Sequence, residues 1–402
     1  MSPLALWLLL AGPAWSVVGA VGLPRLYRRR GQDPQRAGLA GGVVGACSGP
    51  AGLAVLALNR SHTVKVVWLW AAGVLLLWEL LWLFARAYPE NSCVTDSAYV
   101  LNQVQNGIGL GLIYAVMAVG LALIFSVMRI VNFAHGQLFM LGGVVAYYVT
   151  PGMADLNPLV ALPVVAVACL IVGLVVERLF LSPLQSGKLD RPMEYALLVT
   201  FGVGILISYS LVGFLGTSRG LRTPRYTDHP LFGLDQATYE VGPLLIRTDI
   251  WIAGAVGLLL VGLLTVVLRW TWTGRALRAV SMDREAAATV GIHPRRVHAA
   301  AFGIGAALAG VGGALLIPII NFAIPQVAFE AAVRAYIIIV LGGLGSVPGA
   351  LLGAMTLGVT EALGAGCFPD PGRAATYQLG FGLVLFTVVL LVRPQGFFGG
   401  RR

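Results

Sequence analysis

Three polar side chains, Asn132, His135 and Gln137, stand close together in an otherwise apolar stretch of the sequence. If this stretch lies in a membrane, the cost of exposing polar groups to hydrocarbon predicts that they face other helices or a path for a solute. Such a path would hydrate a small zwitterion or amide. Alternatively, Asn132 and Gln137 cap a break between two helices, and His135 forms a hydrogen bond with a backbone carbonyl. A proton relay through His135 is disfavoured because no series of membrane carboxylates accompanies it.

The remaining sequence has no grouping that points to catalysis. It contains no Ser/His/Asp or Cys/His arrangement and no paired metal ligands. The segment 342–345 (Gly-Gly-Leu-Gly) resembles half of a phosphate-binding loop, but no strand precedes it and no Gly-Lys-Ser/Thr follows. Four scattered cysteines indicate neither a zinc site nor a disulfide framework: Cys47, Cys93, Cys169 and Cys367. We therefore expect a chain that is not an enzyme and binds no metal or cofactor.

The composition indicates whether this chain folds in water or in a membrane. The chain has 402 residues, of which 58% are hydrophobic and 11% charged, and its mean hydropathy is +0.84. Soluble domains carry about 25% charged residues, so this chain has too few polar groups to cover the surface of a soluble fold. That excludes a cytosolic enzyme, a nucleic-acid-binding domain and a disordered protein. The composition predicts an all-α polytopic membrane protein.

Apolar runs of membrane-spanning length occur throughout the chain. A helix needs about 20 apolar residues to cross a bilayer, and fewer when it is tilted or broken. The runs fall near residues 4–23, 37–58, 66–87, 104–126, 133–150, 158–180, 194–216, 250–269, 297–320, 331–346, 349–366 and 375–392. We expect about 11 transmembrane helices, about 8 of them in the body of the chain and about 3 in the N-terminal part.

Arginine-rich loops orient these helices, because short cytoplasmic loops of membrane proteins are enriched in Lys and Arg. Segment 269–296 and the C-terminal tail are predicted to be cytoplasmic, which places the long loop 217–249 outside. The arginines within 25–36 are also expected inside, but they would lie outside if every run crossed. One run is therefore expected not to cross. The broken region 127–136 and the Gly-rich run 37–58 are the two candidates, and the sequence does not decide between them.

The cytoplasmic segment 269–296 contains a predicted short helix. Residues from Asp283 to Thr289 are mostly good helix formers, acidic groups stand near the start, and Gly291 is placed as a C-terminal stop. A short helix of small residues outside the membrane would form a rigid knob for the groove of a partner protein. A solvated basic loop with one helical turn is the alternative. The candidate residues for this contact, which would couple the chain to the partner protein, are Arg278, Asp283, Glu285, Ala286, Ala287 and Gly291.

Regularly spaced glycines predict close contacts between helices, because small residues let membrane helices approach one another. The pattern has low specificity in a chain with 52 glycines. The candidates for helix packing or tight turns are Gly107, Gly111, Gly342, Gly345 and Gly349.

Several segments together resemble the LivH-type permeases of branched-chain amino acid importers. They are Gly-Leu-Ile-Tyr-Ala at 111–115, Asn-Phe-Ala-His-Gly at 132–136, Leu-Gly-Gly-Leu-Gly-Ser-Val-Pro-Gly-Ala at 341–350, Glu-Ala-Leu at 361–363 and Arg-Pro-Gln-Gly at 393–396. Segment 285–291, Glu-Ala-Ala and then Gly after three residues, resembles the coupling motif of ATP-binding cassette importer permeases. The usual Ile-x-Leu-Pro continuation of that motif is absent, and residues 1–95 depart from the shorter family pattern.

The resemblance implies a permease domain over 96–396, an N-terminal membrane extension over 1–95 without an assigned role, and a basic cytoplasmic tail over 397–402. The location implied is the cell membrane of a prokaryote. Within the permease domain the candidate residues of a translocation path are Asn106, Tyr114, Asn132, His135 and Gln137.

The resemblance also implies partners. These are a LivM-like second permease or a second copy of this chain, two ATP-binding cassette ATPases that bind ATP and magnesium, an extracytoplasmic solute-binding protein, and membrane lipid, but no nucleic acid. The substrates implied are branched-chain or other amino acids, urea or short amides. The alternative function is an ion-coupled secondary transporter or a channel for a small polar solute, a class that commonly places ionisable groups near the membrane midplane.

Overall fold

The computed structural model describes residues 87–150, 157–185, 189–215, 221, 223–228, 234–320, 325–393 and 395–397. The chain divides between Thr95 and Asp96 into two units. Of the first unit, only residues 87–95 are described, and they contain a single helical turn at Ser92–Thr95. The predicted runs near 4–23 and 37–58, almost all of the run near 66–87, and most of the C-terminal tail lie outside the described residues.

The second unit is built from α-helices. In chain order they are α1 (Ser97–Met128), α2 (His135–Val149), α3 (Leu162–Val176), α4 (Pro192–Leu215), α5 (Thr248–Trp270), α6 (Trp272–Met282), α7 (Arg284–Thr289), α8 (Pro294–Leu316), α9 (Gln326–Gly342), α10 (Val347–Gly366) and α11 (Pro371–Val392). A 3-10 turn, Pro158–Ala161, leads into α3, and a π-helical turn, Glu177–Leu181, follows it.

Among the described residues, six helices are long and apolar enough to cross a membrane. They are α1, α3 with its flanking turns (Pro158–Leu184), α4, α5, α8 and α10, and a shorter apolar helix covers Thr376–Leu391. The multi-pass helical architecture is thus confirmed, whereas the count is below the about 8 helices expected for this part. The difference lies in α2, which has 15 residues, and in α9, which has 17 and carries Glu330 and Arg334.

Helix α1 is the central element, and 83% of its most apolar stretch of 18 residues is buried within the protein. It begins after Asp96, whose side chain accepts a hydrogen bond from the backbone N–H of Ala98 at 2.8 Å. Gly107 and Gly111 face Gly358 of α10: a Cβ on Gly111 would lie 2.7 Å from the carbonyl oxygen of Ala354, and one on Gly358 would lie 2.3 Å from that of Gly107. The two backbones therefore cross in direct contact, as small residues permit.

A second close approach joins α9 and α10. A Cβ on Gly342 would lie 2.3 Å from the backbone of Gly349, and one on Gly349 would lie 2.1 Å from the carbonyl oxygen of Gly342. Between them Gly345 has a φ of +81°, a backbone conformation in which glycine is favoured. The Gly-rich segment therefore forms a tight turn between two helices.

Helices α1 and α2 are separated by an irregular segment, residues 129–134. Its first residue, Arg129, has a φ of +54° and is the only non-glycine with a positive φ among the described residues. The Nε2 atom of His135 then lies 3.0 Å from the carbonyl oxygen of Met117, which is about three helical turns before the end of α1. The chain thus turns back along α1, with Asn132 fully buried. Irregular backbone at membrane depth is tolerated where protein surrounds it.

The prediction of an all-α chain misses a two-stranded antiparallel hairpin, β1 (Thr238–Val241) and β2 (Leu244–Arg247), within the predicted outer loop. Its strands have only four residues each, too short for periodicity to reveal. Nearby, Tyr226 is completely buried and its hydroxyl donates a hydrogen bond to the carbonyl of Leu315 at 2.9 Å. Burial raises the pKa of Tyr226 above its usual value, so this anchor stays uncharged.

The cysteines differ from what their spacing indicated. Cys93 and Cys367 are disulfide-bonded, whereas Cys169 is a free, buried thiol. A disulfide depends on the distance and direction of two Cβ atoms, which positions along the chain do not reveal. Disulfides persist in oxidising compartments, which agrees with the extracytoplasmic position that the arginine pattern gives to Cys367 at the end of α10.

Candidate functional site

The predicted cytoplasmic helix is present as α7, and it is fixed by local caps. The side chain of Asp283 accepts hydrogen bonds from the backbone N–H groups of Glu285 and Ala286, at 2.9 and 3.0 Å. At the other end Gly291 has a φ of +84°, and the N–H of Ile292 donates to the carbonyl of Ala287 at 3.1 Å. Side-chain capping at one end and a left-handed glycine at the other define a short, rigid helix.

Most of this short helix is exposed. Ala287 is buried against the body of the chain, whereas Glu285 and Ala286 face outward. Two large apolar side chains flank the helix, and both protrude: Met282 is 82% exposed and Val290 is 75% exposed. A rigid helix with a small-residue face and two exposed apolar side chains is suited to insertion into a groove of another protein.

Arg278, predicted as a coupling residue, has a different placement. Its guanidinium donates hydrogen bonds to the carbonyls of Leu268 and Arg269, the second at 3.4 Å. These carbonyls belong to the last turn of α5 and have no partner within that helix, so Arg278 caps its C-terminus. It therefore fixes α6 against α5.

A cavity of about 370 Å³ lies between the end of α1 and the two cytoplasmic helices. Arg129, Asp283, Glu285 and His298 are among the residues that line it. The guanidinium of Arg129 lies 3.4 Å from the carbonyl oxygen of Ser281, the last residue but one of α6. The irregular segment after α1 thus contacts the cytoplasmic helices directly.

A larger cavity, of about 500 Å³, lies among α1, α5, α9 and α11. One wall carries a buried ionic cluster around Arg334, whose side chain is only 11% exposed. Its Nε donates to both carboxylate oxygens of Glu361, at 2.9 and 3.1 Å, and its Nη1 donates to Glu330 at 3.1 Å. Two carboxylates thus share one guanidinium. Glu361 is 1% exposed and Glu330 is 31% exposed, so Glu330 is the more accessible carboxylate.

Neutral polar groups complete the cluster. The hydroxyl of Tyr114 lies 3.4 Å from Glu361, and the centre of its ring is 5.5 Å from the guanidinium carbon of Arg334. Gln378 donates to Glu361 at 3.4 Å, and Gln326 donates to Glu330 at 2.8 Å. Buried charges are tolerated where hydrogen bonds and opposite charges compensate their desolvation, and this cluster has both.

The opposite wall of the cavity is apolar, and Arg247 at the end of β2 adds a second cation to the lining. Arg247 is exposed and forms no ion pair within the described residues. Apolar side chains from five helices include Leu110, Met117, Phe139, Ile250, Leu316 and Val327.

Of the five residues predicted for a translocation path, only Tyr114 lines this cavity. Asn132 accepts a hydrogen bond from the N–H of Ala134 at 3.1 Å and His135 contacts a backbone carbonyl, which favours the interpretation that they stabilise the helix break. Gln137 lies near α4, where a Cβ on Gly204 would be 3.1 Å from its Oε1. Asn106 lies on α1, four residues before Leu110.

Sequence reasoning missed Arg334, Glu330 and Gln378 as site residues. One signal was available, because Glu330 and Arg334 are spaced four residues apart, as paired charges on one helix face are. The partner Glu361 stands 27 residues further along the chain, and Tyr114 lies 247 residues before Glu361. Only the packing of α9 against α1 and α10 brings them together.

Hydrogen bonds connect the regions of the two cavities through a few residues. The hydroxyl of Tyr336, on the helix that carries Arg334, donates to the backbone carbonyl of Asn132 at 2.6 Å. Asn132 belongs to the irregular segment that begins at Arg129, and Arg129 contacts Ser281. Two hydrogen bonds and the irregular segment between them therefore join the cytoplasmic helix α6 to α9.

Comparison with known proteins gives a consistent result. Residues 103–392 match the family described as "Branched-chain amino acid transport system / permease component". The chain is 30% identical over 308 residues to the high-affinity branched-chain amino acid transport system permease protein LivH of Escherichia coli (strain K12), covering 75% of this chain and 96% of that protein. It is 31% identical to the corresponding BraD of Pseudomonas aeruginosa, with the same coverage.

A weaker similarity links the chain to a second type of permease. It is 28% identical over 310 residues to LivM of Salmonella typhimurium, covering 71% of this chain and 67% of that protein. No solved structure matches the chain.

Proposed function

This chain belongs to the branched-chain amino acid transport permease family, and we propose that it forms the translocation path of an ATP-binding cassette importer for amino acids. It is a multi-pass membrane transport subunit and not an enzyme. ATP and magnesium bind to partner ATPases, and this chain converts their closure into a change of access between the two sides of the membrane.

Helix α7 carries the proposal. Its caps make it rigid, its outward face is small and exposed, and it lies in the segment that the arginine pattern places in the cytoplasm. These are the properties expected of an element that seats in a groove of an ATPase. The alternative, an ion-coupled transporter or a channel, needs no such element.

The larger cavity supports the assignment of a path. Arg247, Gln326 and Thr376 contribute to its lining from the ends of elements that the arginine pattern places on the outer side. A solute delivered by an extracytoplasmic binding protein would enter there. The partners in this proposal are that binding protein, two ATPases, and a LivM-like permease or a second copy of this chain.

The decisive experiment is affinity purification of the tagged full-length chain from its native membranes, with identification of the accompanying proteins. We expect two ATPases and a permease, and ATP-dependent uptake of amino acids when the recovered complex is reconstituted with its binding protein. Recovery without any ATPase, under conditions that preserve known importer complexes, would contradict the proposal and favour the ion-coupled transporter or channel.

A charge reversal tests whether α7 is the contact. Glu285→Arg should abolish recovery of the ATPases while leaving the folded permease in the membrane, because it changes only an exposed side chain. The matched control is Glu240→Arg on the exposed outer hairpin, which should leave the ATPases bound. ATP-dependent uptake that survives Glu285→Arg would remove α7 from the interface.

A further inference from the structure

The end of α5 and the start of α6, residues 269–275, form a corner that carries the two exposed tryptophans of the described residues. Trp270 ends α5 and is 76% exposed, and Trp272 begins α6 and is 67% exposed. Helix α5 has 23 residues, which gives a length of about 35 Å and is enough to cross the hydrocarbon of a bilayer. Both indoles therefore lie at the level of the lipid headgroups, where tryptophan is enriched in membrane proteins.

Positive charge surrounds these indoles without local compensation. From residue 250 to residue 282 the chain has three arginines and no acidic residue. Two of them, Arg269 and Arg275, are exposed and form no ion pair within the described residues. The third, Arg278, donates to the backbone carbonyls at the end of α5. The corner therefore presents two guanidinium groups that an anion could bind.

One of these guanidinium groups is already held in place by an indole. The guanidinium carbon of Arg275 lies 5.7 Å from the centre of the Trp272 ring, which is a cation–π contact. A guanidinium that stacks on an aromatic face still presents its planar N–H donors to a phosphate. Because Trp272 lies at the level of the headgroups, the donors of Arg275 lie there as well.

An exposed apolar stripe runs from the corner along α5. Leu259, Leu263 and Val266 precede Trp270 by 11, 7 and 4 residues, and all four are exposed. These spacings place the four side chains on one face of the helix. The stripe is therefore suited to contact with an acyl chain whose headgroup lies at the corner.

We propose that the corner of α5 and α6 binds an anionic phospholipid. Its phosphate lies between Arg269 and Arg275, and one acyl chain lies along the exposed stripe of α5. Basic residues at a membrane surface attract anionic lipids, whereas the ammonium group of a zwitterionic lipid would face the same two arginines. The inference is independent of the proposed transport function, because it requires only that the chain lies in a membrane.

Native mass spectrometry measures this binding directly. The tagged full-length chain, purified with its accompanying subunits in mild detergent, is titrated with phosphatidylglycerol or with phosphatidylcholine of the same acyl chains. We expect half-maximal binding of phosphatidylglycerol at a concentration about tenfold lower or more, because each basic residue near the surface strengthens binding of an anionic lipid about fivefold. Glycerol phosphate, which has no acyl chains, should not displace the bound lipid.

A double substitution tests which groups bind the phosphate. Arg269→Gln together with Arg275→Gln removes two exposed charges, so the fold is retained, and should weaken binding of phosphatidylglycerol about tenfold or more. The matched control is Arg295→Gln together with Arg296→Gln, which removes two exposed arginines at the start of α8. No exposed tryptophan of the described residues adjoins that pair in the sequence, and binding should stay unchanged.

Fluorescence quenching tests whether the lipid lies at the corner. Phosphatidylglycerol that is brominated near the glycerol end of its chains quenches indoles next to it. The fluorescence lost in Trp270→Phe together with Trp272→Phe is that of the two exposed indoles. In the assembled complex, brominated phosphatidylglycerol should quench this difference at the concentrations at which mass spectrometry detects binding.

Three outcomes would overturn the inference: equal binding of the two lipids, equal binding of phosphatidylglycerol by the two pairs of arginine variants, or indoles at the corner that the brominated lipid does not quench in the complex. In the third case, quenching in the chain without its subunits would show that another protein covers the corner. Recovery of the ATPases and ATP-dependent uptake test the proposed transport function, so the two can fail separately.

Discussion

The ionic cluster of the cavity and the cytoplasmic helix α7 are stabilised in opposite ways. The cluster joins Tyr114, Arg334 and Glu361 from three separate helices, and its members are buried. Helix α7 is defined almost entirely by its own neighbours in sequence, and most of its surface is exposed. The first region therefore depends on the fold of the whole unit, whereas the second depends on two caps and is free to meet a partner.

The largest expected effect is the loss of the cation in the cluster. Arg334→Met would leave the buried carboxylate of Glu361 without its cation, close to the partly exposed carboxylate of Glu330. Removing one partner of a buried ion pair costs about 3–5 kcal/mol. We expect a large fall in the amount of folded protein, measured by fluorescence-detected size exclusion of a tagged chain after heating.

The exposed pair Arg373–Asp370 is the matched control, because the side chain of Arg373 is 73% exposed. Exposed ion pairs contribute about 0–1 kcal/mol, so Arg373→Met should leave the thermal midpoint nearly unchanged. Equal changes in the thermal midpoint would mean that burial does not determine how much an ion pair contributes to stability here.

The second prediction concerns the helix crossing that holds Tyr114 against the cluster. Gly111→Ala would place a Cβ 2.7 Å from backbone atoms of α10, and overpacking of this kind costs about 1–3 kcal/mol. Gly262→Ala is the control, since a Cβ there meets nothing within 4 Å in the described part of the chain, and alanine favours the helix. The thermal midpoint should fall for the first variant and stay or rise for the second.

Much of the fold is predictable from the sequence because each membrane helix satisfies its own backbone. A run such as 104–126 therefore specifies α1 without reference to any other residue. Helix α7 is predictable for the same reason, since Asp283 and Gly291 act within a few residues. The contacts among Tyr114, Arg334 and Glu361 are not, because they depend on how α1, α9 and α10 pack. The run 331–346 carries a single charged residue, Arg334, and its place at the centre of the buried cluster is not evident from the run itself.

The third prediction addresses the caps of the cytoplasmic region. Asp283→Ala removes the side-chain acceptor at the start of α7, at a cost of about 1 kcal/mol to that helix. Because α7 lies outside the buried core, we expect little change in the thermal midpoint but weaker ATPase binding and slower ATP-dependent uptake. Asp96→Ala removes the equivalent cap from α1 on the outer side and should leave ATPase binding unchanged. If both substitutions weakened ATPase binding equally, the cap of α7 would have no specific role in that contact.

The smallest expected effect concerns Arg129, which lies between the two regions. Two substitutions there distinguish the contribution of its backbone conformation from that of its side chain. Its φ of +54° is favourable for glycine and costs about 1 kcal/mol for other residues, so Arg129→Gly should be more stable than Arg129→Ala by about that amount. Both variants remove the guanidinium that contacts Ser281, and both should slow ATP-dependent uptake equally. The thermal midpoints of the two variants test the expected difference in stability, and their uptake rates test the expected equal loss of transport. Full uptake in Arg129→Gly would show that the side chain transmits nothing, and that Arg129 is only a strained end to α1.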